Sequence, residues 1–327
     1  MIAEVGLQPD GGAPREVVVM GRVCIDLYPN EVGTHLEDVS GFTKSIGGSA
    51  TNVAVAIARH GHDVTLVTRT GDDPFGRFVL QELARLGVDG SHITPFAGLA
   101  SVLTFCEMFP PDDFPLYIYR QPTAPDMMLE TADVPFGEVR EARIFWATAT
   151  GLSSELTREA HFAAWRERGR RPNTILDLDY RPMFWTSAGA AHEAMDAALP
   201  LVTIAVGNQQ ECDVAVGESD PYRAADALLD RGLALAIVKR GPRGVLAKSR
   251  EGTVELPSQP VEVVNGLGAG DGFGGALCHG LLAGWELERT LNFANAAGAI
   301  VATRRECSTA MPTTAEVEEW LTVRSPA

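Results

Sequence analysis

Asp271 is the residue best suited to chemistry by its type and its position. It ends the glycine-rich stretch "NGLGAGD" at 265–271. The apolar run before it, "PVEVVN", predicts a strand over 260–265, and the pattern after it predicts a helix over 271–284. The glycines therefore form a strand-to-helix turn. A helix start carries unpaired N–H groups and a partial positive charge, and glycines let a phosphate come close to them.

We expect the N–H groups of Gly268, Ala269 and Gly270 to hold a transferring phosphoryl group, with Asp271 as the base that takes a proton from an acceptor hydroxyl. Two other interpretations stay open. The small residues could pack a helix closely against a sheet with Asp271 as its cap, or form part of a dinucleotide fingerprint, although the glycine spacing fits that poorly. A Walker A loop is excluded because no Gly-Lys-Ser/Thr sequence is present.

A phosphoryl-transfer site needs further groups, and three stretches provide them. "GGSATN" at 47–52 is a Gly-Gly turn that leads into a predicted helix. "GNQQE" at 207–211 and "KRGPRG" at 239–244 each follow a predicted strand, where ligands bind in α/β sheets. For each stretch alone, an ordinary turn or helix cap is the simpler interpretation. The candidate residues for nucleotide and metal in the last two stretches are Asn208, Glu211, Lys239, Gly241 and Gly244.

The elements that must position these residues alternate between short apolar runs and amphipathic helices, which is typical of an α/β fold with a mostly parallel sheet. Helical spacing of apolar residues, ended by a glycine, predicts helices within 51–61 and 74–87. The predicted strands are 16–21, 63–68, 143–148, 174–178, 201–206 and 233–239.

Two segments, about 28–46 and 100–121, carry strand-like runs with no helix between them. They predict a small accessory sheet, which could be a lid over a site, a dimer edge, or both. We predict that the lid segments are inserted in one domain spanning 16–323, and that residues 1–15 form a flexible tail.

Composition narrows the classes of partner. The formal net charge of −16 has no basic block to offset it, which argues against nucleic acid and anionic membranes. No apolar run reaches the roughly 18 residues of a membrane span. The five cysteines are scattered and never form a CxxC pair, so a reducing cytoplasm is expected rather than a zinc site or a disulfide framework.

From about Val17 to Pro312 the chain resembles the ribokinase-like (PfkB) carbohydrate kinases. The resemblance implies a three-layer α/β/α domain with a small β-sheet lid, ATP and Mg²⁺ as cofactors, and a homodimer formed through the lid sheet. It also implies Asp271 as the base, and Glu211 with Asn208 on magnesium, partly through water. The remaining implied site residues are Asp26, Gly47, Gly48 and Asn52 for the sugar and Asn295 for the nucleotide.

Four stretches resemble the members of this family that phosphorylate the primary 6-hydroxyl of 5-dehydro-2-deoxy-D-gluconate in myo-inositol catabolism. A sugar acid brings a negative charge into an acidic protein, so its pocket should supply arginine. Arg120 and Arg181 are the candidates, with Lys44 a weaker one. The four stretches are "GRVCIDLYP", "YRQPTAPDM", "LDLDYRPMFW" and "CSTAMPT".

One departure from the family pattern concerns a third cofactor. Relatives have Asp-Thr where this chain has Asn265-Gly266, and that Asp helps to hold a monovalent cation, so the case for K⁺ is weaker here. Alternative functions are kinases of the same family that act on 2-keto-3-deoxygluconate or fructose. A non-catalytic sugar- or nucleotide-binding relative and, more distantly, a nucleotide-dependent oxidoreductase also stay open.

Overall fold

The computed structural model describes residues 15–324, so the predicted tail at 1–15 lies outside the described residues except for its last member. Arg15 donates to Asp63 and to Asp89, each at 2.7 Å. The strands within this range are β1 (Val17–Met20), β2 (Cys24–Pro29), β3 (Phe42–Gly47), β4 (Val64–Gly71), β5 (Ile93–Phe96), β6 (Leu103–Cys106), β7 (Leu116–Tyr119), β8 (Ile144–Thr148), β9 (Thr174–Asp177), β10 (Ile204–Asn208), β11 (Leu235–Lys239), β12 (Val245–Ser249) and β13 (Thr253–Leu256).

The α-helices alternate with these strands through most of the chain, as the sequence pattern predicts. They are α1 (Ser49–Arg59), α2 (Pro74–Arg85), α3 (Phe136–Glu141), α4 (Glu155–Arg168), α5 (Ala188–Ala198), α6 (Gln209–Val216), α7 (Pro221–Asp230), α8 (Ala269–Leu282), α9 (Leu287–Ala302) and α10 (Thr314–Arg324).

Nine strands form the main sheet, in the order β13-β12-β11-β10-β9-β8-β1-β4-β5. The strands from β11 to β5 run parallel, while β12 and β13 complete one edge as antiparallel strands. Strand β1 is buried on both faces, because Val17 and Val19 face one core while Val18 and Met20 face the other. Side chains that alternate across a strand produce this pattern when helices cover both faces.

The helices divide between the two faces of the sheet. Helices α1, α2, α8, α9 and α10 pack on one core, and α3 to α7 pack on the other. The fold is thus the predicted three-layer α/β/α arrangement. The helices predicted within 51–61 and 74–87 are present as α1 and α2, and the glycines after them, Gly61 and Gly87, have positive φ angles of 85° and 82°.

A separate four-stranded sheet has the order β3-β2-β6-β7. Strands β3, β6 and β7 come from the two segments predicted as accessory, whereas β2 lies mostly before the first of them. Its outer side is aromatic. The exposed fractions of Phe42, Tyr117 and Tyr119 are 36%, 46% and 68%, and the Phe105 ring packs edge-on against the rings of Phe42 and Tyr119. We call this surface the aromatic face.

The prediction of a strand over 260–265 is wrong. This segment is irregular, and the N–H groups of Val264 and Asn265 donate to the carbonyl oxygen of Ala302 at the end of α9. Alternating apolar residues suit a strand only when a neighbouring strand can pair with them, and here the helix end supplies the acceptor instead. The next helix begins at Ala269 rather than Asp271, so Asp271 lies in its first turn.

Among the described helices, we find none with the length and apolar character needed to cross a membrane.

Candidate active site at the start of helix α8

A large cavity of about 860 Å³ opens at the end of β11 and the start of α8. The hairpin loop between β6 and β7 also reaches it, through Pro111, Asp112 and Phe114. Its remaining lining is rich in glycine, proline and aliphatic residues. The predicted site residues on its wall are Lys239, Gly241, Gly244, Ala269, Gly270 and Asn295.

A second, much smaller cavity lies between the small sheet and the start of α8. Its lining is polar and charged where the first is mostly apolar. The predicted site residues on its wall are Asp26, Gly48, Asn52, Arg181, Gly268 and Asp271, and Arg22, Ser49, Thr104 and Cys307 line it as well.

Asp271 lies where the two cavities approach each other. The Asn52 side-chain amide donates to its Oδ2 at 2.7 Å, and the Ser308 hydroxyl donates to Asn52 Oδ1 at 2.5 Å. Burial raises the pKa of Asp271 to about 6, with Asn52 opposing the rise and the nearby Asp179 charge adding to it. A carboxylate held by one amide, with a pKa near the working range, is suited to general-base chemistry.

The glycine loop, residues 265–270, has a backbone that would allow an anion to bind directly beside Asp271. Gly268 has a φ of 79°, and a Cβ there would lie 2.9 Å from Cys307 Sγ, so only glycine fits. The N–H of Asp271 already donates to Gly268 O at 3.0 Å. The first N–H groups of a helix have no acceptor within the helix, which leaves those of Ala269 and Gly270 available to a ligand.

Lys239 adds a positive charge at the same place. A Cβ on Gly270 would lie 3.0 Å from Lys239 Nζ, so the ammonium reaches the helix start. Burial lowers the pKa of Lys239, but the charges of Asp177 and Glu211, with smaller contributions from other carboxylates, outweigh it and the pKa is raised. Lys239 is therefore a half-buried cation on the cavity wall, which suits the binding of phosphate oxygens.

Asn208 ends β10, the strand beside the one that carries Lys239, and Glu211 follows in α6. Neither residue lines a cavity. The Asn208 N–H donates to Glu211 Oε2 at 2.6 Å and the Glu211 N–H donates to Asn208 Oδ1 at 2.9 Å, a reciprocal cap on α6. Asn208 pairs in register with Lys239, which brings the cap beside that cation. No group of three or more His, Cys, Asp or Glu side chains that could hold a metal occurs within residues 15–324.

The Gly-Gly turn brings the backbone close to the carboxylate of Asp26. A Cβ on Gly47 would lie 2.0 Å from Asp26 Oδ2, and Gly48 has a φ of 101°. The Tyr28 hydroxyl donates to Asp26 Oδ2 at 3.1 Å, and burial raises the pKa of Asp26. Asp26 thus offers a shielded acceptor to a hydroxyl group in the small cavity.

Asp179 holds two arginines at one end of the small cavity. It lies 3.1 Å from Arg181 and 3.8 Å from Arg22, and it accepts a hydrogen bond of 2.5 Å from the Ser49 hydroxyl. Burial raises the pKa of Asp179, but the charges of Arg181 and Arg22 and the Ser49 hydrogen bond outweigh it and lower the pKa overall. Sequence reasoning missed Arg22 and Asp179, although both lie in stretches that carried the family resemblance.

The structure does not bring Arg120 or Lys44 to the wall of either cavity. Arg120 pairs with Asp126 at 3.1 Å and its guanidinium lies 4.2 Å from the centre of the Phe184 ring. Lys44 is exposed and lies 4.1 Å from the centre of the Phe78 ring. The substrate-binding role of Arg120 stays a prediction.

Comparison with known proteins identifies the class to which this fold and site belong. The sequence model of the pfkB family carbohydrate kinases matches residues 14–314. The chain therefore belongs to the pfkB family, and it is a phosphotransferase that acts on an alcohol group of a sugar.

The relatives extend over nearly the whole chain. The 5-dehydro-2-deoxygluconokinase of Geobacillus thermodenitrificans is 32% identical over 320 residues, which cover 95% of this chain and 94% of the relative. The protein of the same name from Photobacterium profundum is 35% identical over 322 residues, with 95% and 96% covered. A fructokinase from Xylella fastidiosa, solved with bound ATP, shares the fold with a TM-score of 0.82 at 24% identity, covering 95% of this chain and all of that one.

Proposed function

We propose that this kinase transfers the γ-phosphoryl group of ATP to the primary 6-hydroxyl of 5-dehydro-2-deoxy-D-gluconate, in myo-inositol catabolism. The observation that carries the proposal is the position of Asp271. It lines the small polar cavity, while its neighbours Ala269 and Gly270 line the large one. A base between two cavities can act on an acceptor in one while the helix start holds a donor phosphate in the other.

In this mechanism the sugar lies in the small cavity, where Asp26, Gly48 and Asn52 contact its hydroxyl groups. Asp271 accepts the proton of the attacking hydroxyl, and Asn52 holds the carboxylate in place through its amide. The free N–H groups at the start of α8 and the Lys239 ammonium stabilise negative charge on the transferring group. Gly241, Gly244 and Asn295 would form part of the wall around the rest of the nucleotide.

The residues present fit a magnesium ion that is bound largely through water and phosphate. Glu211 and Asn208 offer oxygen atoms as ligands close to the strand that carries Lys239. Because Mg²⁺ gives up its waters reluctantly, they could hold the ion through water. When bound, the ion would neutralise charge on the ATP phosphates. Potassium stays a prediction. The Asn265 amide donates to Arg305 O at 2.7 Å and its Oδ1 accepts from the Leu267 N–H at 2.9 Å, so this side chain is already engaged.

The substrate assignment is supported by the named relatives and by the arginines of the small cavity. That cavity has about 40 Å³ of free volume, which is less than a six-carbon sugar acid needs. We expect the small sheet to move outward when substrate enters and to close over it during turnover, which would exclude water from the phosphoryl group.

We also propose that two copies pair through the aromatic face of the small sheet. Exposed aromatic residues on a sheet are typical of protein interfaces, and Phe42, Tyr117 and Tyr119 are grouped there. Sedimentation analysis of the wild type and of a Tyr119→Lys variant checks the pairing. A monomeric wild type would contradict it.

The cysteines support the proposal of a cytoplasmic location. All five are buried and free, as a cytoplasmic protein would keep them.

The test of function is ADP release from Mg-ATP with four acceptors, namely 5-dehydro-2-deoxygluconate, 2-keto-3-deoxygluconate, fructose and ribose. We expect a strong preference for the first. Preference for another sugar would keep the kinase chemistry and overturn the substrate. ATP binding without turnover on any acceptor would favour a binding protein over an enzyme.

A further inference from the structure

Arg22 lies in the short connection between β1 of the main sheet and β2 of the small sheet, and it lines the small cavity. Only 9% of the residue is exposed. The Arg22 carbonyl is used structurally, because the Thr51 hydroxyl donates to it at 3.1 Å. The backbone position of Arg22 is therefore fixed, and the side chain extends from it into the cavity.

The guanidinium of Arg22 lacks short acceptors among residues 15–324. Its Nη1 lies 3.9 Å from Cys24 Sγ, its Nη2 lies 3.8 Å from Asp179 Oδ2, and its Nε has no partner in the same part of the chain. The Asp179 distance exceeds the 2.7–3.2 Å or so of a normal N–H···O bond, so that contact is an attraction between charges rather than a hydrogen bond, and the contact with sulfur is a weak one. A buried cation with five N–H groups normally finds acceptors for most of them.

Arg168 shows how this chain treats a buried arginine with a structural role. It is 2% exposed, and its guanidinium donates to Thr174 Oγ1 at 2.7 Å and to three backbone carbonyls at 2.7 to 3.1 Å. Arg22 is almost as deeply buried and has none of these short bonds within the described residues. The N–H groups of the Arg22 guanidinium therefore need an acceptor that the described residues do not supply.

The groups around the guanidinium of Arg22 narrow the chemistry of that acceptor. Asp179 is the ion-pair partner of both Arg22 and Arg181, so two cations share one carboxylate at this end of the cavity. Asp26 and Asp271 also face the cavity and attract Arg22 at longer range, but neither lies within ion-pair distance of it in the described part of the chain. A planar anion with two oxygens matches the fork of a guanidinium, and its oxygens would accept the N–H groups that have no short acceptor among the described residues.

We propose that Arg22 binds the carboxylate of the sugar-acid substrate together with Arg181, and that Arg22 determines the preference for acids over neutral sugars. This inference rests on the proposed function. Asp179 serves as the positioning residue, because it holds both guanidinium groups and is itself held by the hydroxyls of Ser49 and Thr150 at 2.5 and 3.3 Å.

The experiment compares Arg22→Gln with the wild type on two acceptors, 5-dehydro-2-deoxygluconate and its neutral analogue in which a hydroxymethyl group replaces the carboxylate. We expect kcat/KM for the acid to fall about 10- to 100-fold, which is the value of a hydrogen-bonded charge, while kcat/KM for the analogue changes less than about threefold. The loss should lie mainly in KM, because the carboxylate is at the other end of the substrate from the reacting hydroxyl.

Two further variants separate binding from folding. Arg22→Lys keeps the charge without the fork, so its preference for the acid should lie between wild type and Arg22→Gln. Arg168→Gln is the matched control, since it should lower the melting temperature and leave the preference unchanged. Equal losses on both acceptors in Arg22→Gln would overturn the inference. If Arg22→Gln does not fold, an unchanged preference in Arg22→Lys would overturn it.

Failure of the proposed function gives a different result. In that case the wild type itself would show no preference for the acid over its neutral analogue, and the role of Arg22 would fall with it. A wild type that prefers the acid, with an Arg22→Gln variant that keeps this preference, would leave the proposed function standing and contradict the inference alone.

Discussion

The two cavities that meet at Asp271 are lined in different ways. The large cavity is walled by glycine, proline and aliphatic residues, with Lys239 and Asp112 as its charged side chains. The small cavity is walled by Arg22, Asp26, Arg181 and Asp271 around a much smaller volume. The first lining can hold phosphate through the backbone, and the second can recognise an acceptor through charged side chains. Under the proposed function, the donor would occupy the large cavity and the acceptor the small one.

The largest expected effect comes from changing Asp271, which lines the small cavity next to the helix start that borders the large one. Asp271→Asn removes the base and keeps the shape of the side chain, so kcat should fall about 100-fold or more while ATP binding persists. Steady-state kinetics and nucleotide titration measure both quantities. The matched control is Asp73→Asn at the cap of α2, where asparagine also caps well and turnover should be normal. Near-normal kcat in Asp271→Asn would refute the assignment of the base.

Arg181→Ala tests the acceptor side alone. Arg181 lines the small cavity and pairs with Asp179, so kcat/KM for the sugar acid should fall about 10- to 100-fold while the KM for ATP stays close to wild type. Kinetics with the acid and with fructose provide the comparison. An equal loss on fructose would remove the carboxylate role of Arg181.

Lys239→Met tests the donor side in the same way. The ammonium reaches the helix start within the large cavity, so the KM for ATP should rise about tenfold and acceptor preference should not change. Because the charge of Lys239 offsets those of nearby carboxylates, a melting curve must accompany the kinetics. If acceptor preference changed as much as the KM for ATP, the division of roles between the cavities would be contradicted.

The pH profile reports on the carboxylate between the cavities. Burial raises the pKa of Asp271 to about 6, and the base acts only when ionised. The kcat/KM should therefore be constant above that pH and fall about tenfold for each pH unit below it. Asn52→Ala removes a hydrogen bond that lowers the pKa, so the acid limb should move to higher pH in that variant. An acid limb near pH 4 in the wild type would mean that Asp271 is not shielded during catalysis.

The smallest effect is expected from the hairpin loop between β6 and β7, which lies close to both cavities. Leu116 and Ile118 on β7 line the small cavity, and Phe114 in the loop lines the large one. Phe114 also contacts the glycine loop, since a Cβ on Gly266 would lie 3.3 Å from its ring. Phe114→Ala should raise the KM values for both ATP and sugar about threefold. An effect on one substrate alone would show that the loop does not link them.

The donor side could be predicted from the sequence because its signals are local. Gly268, Ala269, Gly270 and Asp271 are adjacent in the chain, and a strand-to-helix glycine turn has a known physical use. The six predicted strands and the helices α1 and α2 are present, because their apolar periods match their burial on the two faces of the sheet. The strand over 260–265 failed because its pattern says nothing about whether a partner strand is available.

The acceptor side could be predicted only in part because its residues come together from separate strand ends. Asp177 ends β9 and Asp179 and Arg181 follow it at a spacing of two, which was a readable sign that the polar side chains share a direction. Nothing in the sequence shows that Arg22 lies opposite them, or that Asp126 would pair with Arg120. Those pairings depend on how the small sheet folds over the main one.

The most direct test of the central account is to identify the product of wild-type turnover by NMR. Incubation with Mg-ATP and 5-dehydro-2-deoxygluconate should give ADP and a sugar acid that carries one phosphate on its primary 6-hydroxyl, in equal amounts. That result would establish transfer from ATP to the primary hydroxyl of the sugar acid, as the proposed function requires. Phosphate on a different hydroxyl, or ADP with free phosphate and unchanged sugar acid, would contradict the account.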